Sequence, residues 1–137
     1  MHKEVTVEKG LLKKIDLDNG LELKIMDNSK GIIGDRWYIS VIAQVDVPVA
    51  KAVAADSTGV ILSEEVKRIL GDPVRFEKKM ERHFIDQHEK DDIKHGLEVS
   101  LTESLMPYVS RPEFPKLFVI KQYAKARHIA GRQAENI

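Results

Sequence analysis

A chain of 137 residues is the size of one domain and can bury a sizeable core without staples. Hydrophobic residues make up 42% and charged residues 32%, so the chain reads as folded and well solvated; the lack of cysteine excludes disulfides, thiolate zinc sites, iron–sulfur clusters and cysteine nucleophiles. Basic and acidic side chains both number 22, giving zero net charge, where a general polyanion binder carries a basic excess.

The start, Met-His-Lys-Glu-Val-Thr, has no apolar run behind a basic segment, so no signal peptide is expected. The longest apolar runs are a few residues, far short of a membrane span. A cytoplasmic protein is the expectation. Val5 and Val7 alternate with Glu4, Thr6 and Glu8 as a short strand closed by Gly10. A hairpin follows over 13–25. A two-residue Asn19-Gly20 turn would set Leu17 against Glu22. A three-residue loop, Asp18-Asn19-Gly20, instead pairs Leu17 with Leu21 and Ile15 with Leu23, and places Gly20 where a left-handed residue is wanted.

Asp27–Gly31 and Gly34-Asp35 carry loop chemistry. The strongest signal is the stretch 36–49, where Trp37, Ile39, Val41, Ala43, Val45, Val47 and Val49 fall on every second residue. That period puts them on one face of a strand, with Ser40, Gln44 and Asp46 on the other. Pro48 cannot donate to a ladder and marks an edge or an exit from the sheet. Ala50–Ala55 either extends the strand or forms a crossing segment. Asp56-Ser-Thr-Gly59 is a turn, with one residue too many for the Asp-Ser/Thr-Gly loop of aspartic proteases.

After residue 60 the period shifts toward 3.6. Ser63 with Glu64 and Glu65 opens a short helix that Gly71 stops. Asp72-Pro73 reads as a cap and first-turn proline restarting a helix, with Phe76, Met80 and Phe84 four apart on its buried stripe. Ile93, Leu97, Leu101, Leu105 and Val109 carry a further helix over 91–109, although Gly96 weakens it and Leu97–Thr102 equally reads as alternation. A last helix runs from about Phe114 to Ala130, burying Leu117, Ile120 and Ala124 or the Val119, Tyr123 stripe, and ends at Gly131. The chain is thus expected to be one α+β domain, 1–137. An antiparallel sheet of three to four strands spans about 3–62, and three or four helices span about 63–131.

Candidate sites are few. His88, Asp91 or Asp92, and His95 would share one face if a helix ran through them, offering two imidazoles and a carboxylate to a divalent cation. The same run reads as a solvated surface, or as Asp91-Asp92 opening a new helix. Lys121, Lys125, Arg127 and Arg132, with Tyr123 between them, form a basic segment able to track phosphates, or a surface helix with cations near its C-terminus. Tyr38 and Ile42 lie on the second face of the 36–49 strand and suit a partner subunit. Gly31-Ile-Ile-Gly34 is no phosphate loop, no serine-nucleophile elbow occurs, and no cofactor is called for. The sequence therefore favours a non-enzymatic interaction domain, a homo-oligomer or one with a protein partner. A small metal-dependent enzyme and a weak nucleic-acid-binding accessory protein are the competing classes.

Overall fold

The computed structural model describes residues 10–55 and 63–135. The strand expected at Val5–Val7 and the turn at 56–59 lie outside them. The elements are β1 (Leu11–Asp16), β2 (Glu22–Asp27), β3 (Lys30–Gly31), β4 (Arg36–Val47), α1 (Val49–Ala55), α2 (Ser63–Leu70), β5 (Val74–Asp86), α3 (Lys90–Val109) and α4 (Phe114–Glu135). This is an α+β fold, with one antiparallel sheet of five strands and four helices among the described residues. None of the described helices is long and apolar enough to cross a membrane.

β4 is the middle of the sheet because it is apolar on one whole face. Ile39, Val41, Ala43, Val45 and Val47 are fully buried. β5 pairs with it antiparallel along one edge from Arg36 to Val47. β2 and β3 therefore share the other edge end to end, β2 against 41–45 and β3 against 37–38. β1 closes the far side on β2.

The β1–β2 hairpin has the three-residue loop read from parity. Ile15 pairs with Leu23, Leu17 N–H donates to Leu21 O at 2.8 Å, and both leucines are buried. Gly20 has φ +87°, the left-handed conformation the loop requires. Asn19 does something its position in the chain does not suggest. Its Nδ2 donates to Val109 O and Arg111 O, both at 2.8 Å, while its Oδ1 accepts from Leu21 N–H at 3.1 Å. The turn is thereby pinned to the C-terminus of α3, where helical carbonyls lack intrahelical donors.

Two expectations need correction. The segment from Pro73 is not a helix but the thirteen-residue strand β5. Spacing of four fits a strand as well as a helix, since every even offset stays on one strand face. Val74, Phe76 and Met80 do face the core, opposite Val47, Val45 and Val41. On α4, Phe114, Phe118 and Val119 are buried and Tyr123 is half-buried, whereas Leu117 is exposed, so the Val119, Tyr123 stripe is the inward one. The helix also continues past Gly131 to Glu135. Residues 49–55 form a helix crossing out of the sheet at Pro48, and Val49 N–H donates to Asp72 Oδ1 at 2.9 Å.

α3 lies across the apolar sheet face on the expected stripe, with Leu97, Leu101, Leu105 and Val109 buried. Lys94 Nζ meets Asp27 Oδ2 at 2.9 Å, tying α3 to the end of β2, with both side chains about three-quarters buried (23% exposed each). Burial pushes the Asp27 carboxyl up, but the hydrogen bonds from Lys94 and Ser29 outweigh it and hold it below its ordinary 3.8. The folded value lies below the unfolded one. The contribution is therefore complete well above pH 3.8 and is lost as pH falls through the lowered folded value. Asp27→Asn is expected to cost about 1 to 2 kcal/mol at neutral pH and to make the acid limb of stability shallower. Urea unfolding at neutral pH and at pH 3 measures both; equal losses at the two pH values would refute the linkage.

Candidate interaction surface

The sheet has two unlike faces. The odd-numbered residues of β4 join the buried cluster with α3, α4 and the shorter helices. The even-numbered face carries Tyr38, Ile42, Gln44 and Asp46 from β4, Lys24 and Met26 from β2, and Arg75, Glu77, Lys79 and Glu81 from β5. Among the described residues no helix covers it, and these side chains are half-buried or exposed.

Polar pairs run across this face. Arg75 holds Asp46 in a fork, Nε to Oδ1 at 2.7 Å and Nη2 to Oδ2 at 3.1 Å. Gln44 donates to Glu77 at 2.9 Å. Further along, the Tyr38 hydroxyl donates to Glu81 Oε1, Lys79 lies 3.4 Å from Glu81, and His83 lies 3.8 Å from it. These contacts, the Tyr38 hydroxyl first and Lys79 next, hold the Glu81 carboxyl below the usual range. A carboxylate held ionised in this way is a poor general base near neutral pH. Cross-strand pairing and positioning are what this arrangement does well.

A bulge shapes the end of the face. Trp37 pairs with Ile85 and Ile39 with Arg82, so Tyr38 stands opposite two residues, His83 and Phe84. The extra residue brings the His83 ring to 5.0 Å from that of Tyr38. Phe84 takes the strain: its φ is +53°, uncommon for a bulky side chain, and it is 65% exposed. Asn28, Lys30, Ile32, Tyr38 and His83 line an open hollow of about 450 Å³ here. On this same face Ser40, opposite Glu81, is buried, and its hydroxyl is without a hydrogen-bond partner among the described residues.

Of the residues singled out from sequence, Tyr38 and Ile42 lie on this uncovered face. The metal-type set is not assembled. α3 begins at Lys90 with Glu89 as its N-cap, so no continuous helix runs from His88 to His95. His88 sits in the preceding turn with its side chain 90% exposed, its N–H donating to Asp86 Oδ1 at 2.8 Å and its Nδ1 3.0 Å from the same oxygen. Asp91 and Asp92 occupy the first turn of α3, complementing its dipole. Among the described residues no three His, Asp or Glu side chains gather as for a metal ion.

The basic set is split as well. Lys121 and Lys125 are exposed on α4, whereas Arg127 turns toward α2, 3.9 Å from Glu65 and 3.4 Å from the Tyr123 hydroxyl. The Tyr123 hydroxyl donates to Glu65, and that hydrogen bond raises its pKa. The Arg132 side chain lies outside the described set.

Sequence reasoning missed the polar row of β5 altogether. Its signal was present: Arg75, Glu77, Lys79 and Glu81 alternate with Val74, Phe76 and Met80. Comparison with protein-family models, curated proteins and solved structures finds no match.

Proposed function

We propose that this chain is a non-enzymatic interaction domain of the cytoplasm that associates with further copies of itself through its uncovered sheet. The observation that carries this reading is the one-sided packing. The described helices lie against a single sheet face, leaving Tyr38 and Ile42 on the other, and β5 has no second strand beside it among the described residues. Unpaired backbone groups on a long edge and aromatic side chains on an open face both recruit partners. The competing classes draw less support. The His88, Asp91, Asp92 and His95 set is dispersed, and the cations of α4 belong to a chain of zero net charge. Sedimentation velocity over a wide range of protein concentration tests the reading. A mass rising reversibly toward twice that of the monomer is expected, and monomer alone at the highest concentration would overturn it.

A further inference from the structure

β5 is paired with β4 in an unbroken register from Val74 to Arg82, opposite Val47 to Ile39. The bulge at His83 and Phe84 ends this regular run. Its middle residue is Lys78. The outer edge of this run has no strand beside it among the described residues. A hollow of about 290 Å³ wraps that edge near its start. Arg75 and Glu77 on one sheet face and Phe76 on the other line it together with Tyr108, Phe118 and Lys121.

A second copy can add to such an edge about a two-fold axis perpendicular to the sheet. That operation keeps every residue on its own face, so the axis must fall on a residue. With the axis on Lys78, Arg75 meets the partner's Glu81 and Glu77 meets the partner's Lys79, and each pair occurs twice. All four contacts on the open face then join opposite charges. On the core face Phe76 meets the partner's Met80, again twice. Moving the axis to Lys79 sets Glu77 against Glu81. Moving it to Glu77 sets Arg75 against Lys79 and Glu77 against itself. Opposite charges facing each other across an antiparallel pair stabilise it, and like charges do the reverse.

We infer that the partner is a second copy of this chain, joined β5 to β5 in antiparallel register with Lys78 on the two-fold axis, making one sheet continuous across both copies. The inference rests on the self-association proposed above and names its surface. Length and charge agree on the same centre. The axis that uses the whole regular run, 74–82, is also the axis that sets each charged open-face residue of β5 in that run opposite one of the other sign. The two axial lysines oppose each other, which makes the register tunable at that position.

The cysteine-free sequence supplies a clean test, because a single introduced thiol has only its own copy to react with. Directly opposite residues in an antiparallel pair have Cβ atoms about 4.5–5.5 Å apart, near disulfide reach. Lys78→Cys is expected to form a reducible covalent dimer under mild oxidation, while Lys14→Cys, on the opposite edge strand β1, is expected to form little. Glu77→Lys should weaken association about tenfold by turning two attractive pairs repulsive, and adding Lys79→Glu should restore it. A dimer by sedimentation that neither bridges at Lys78→Cys nor responds to Glu77→Lys sinks the β5 register while leaving self-association standing. A bridge at Lys14→Cys instead assigns the contact to β1. Monomer at every concentration with no bridge removes both the register and the proposed self-association.

Discussion

Replacing Phe114 by alanine is expected to lower the unfolding free energy by about 3 to 5 kcal/mol. Its ring is buried at the start of α4, 5.1 Å from Tyr108 of α3, 5.6 Å from Phe118 and 5.7 Å from Phe76 of β5. Deleting it removes the apolar area and leaves a cavity that three rigid neighbours from three elements cannot collapse to fill. A domain of this size is stable by about 5 to 15 kcal/mol, so the variant would lose a large share of its margin. Urea unfolding followed by circular dichroism measures the loss. Phe114→Leu keeps most of the volume and should cost far less. Equal losses for the two variants would show that ring packing is not what matters there.

The second large effect is expected at Asn19. Asn19→Ala removes two donors from carbonyls at the end of α3 and one acceptor from the hairpin, at a cost of about 1 to 3 kcal/mol. Asn19→Asp should be worse although it is nearly isosteric. Its carboxylate retains the acceptor for Leu21 N–H but turns an oxygen toward Val109 O and Arg111 O, where nothing can donate. Its penalty should therefore grow as pH rises through the carboxyl range, while that of Asn19→Ala stays level. An aspartate variant as stable as wild type would refute the pinning of the turn to α3.

How far these features were legible depends on the range over which they act. The alternation in 36–47 and the parity of Leu17 with Leu21 are local patterns, and both reappear as buried faces. The four-residue stripe from Leu97 to Val109 is carried by a helix, and Glu103 and Pro107 between its members are out of place on the buried face of a strand. Phe76, Met80 and Phe84 were ambiguous because three residues at spacing four satisfy both periods. The Asp72-Pro73 pair that suggested a helix start serves a turn into a strand equally well. Lys78 and Arg82, at inward-facing positions of an edge strand, broke the apolar alternation that would have revealed β5. Asn19 was beyond reach, since its acceptors lie 90 and 92 residues away. The candidate surface was legible only as Tyr38 and Ile42. Its charged half belongs to β5 and could not be assembled until that strand was recognised.

The sheet also carries a folding order in its connections. β1, β2 and β4 are successive neighbours, joined by residues 17–21 and 28–35, whereas β5 reaches β4 only after residues 48–73. Closing the longer connection costs about 1 kcal/mol more in chain entropy than closing the eight-residue one. The two crossing helices α1 and α2 lie within that span and shorten it once formed. Nucleation is thus expected in the meander, with β5 docking late although it has the most extensive pairing. Substitutions along Val74–Met80 should accordingly accelerate unfolding more than they slow folding, while those at Leu23 or Ile25 should act chiefly on the folding rate.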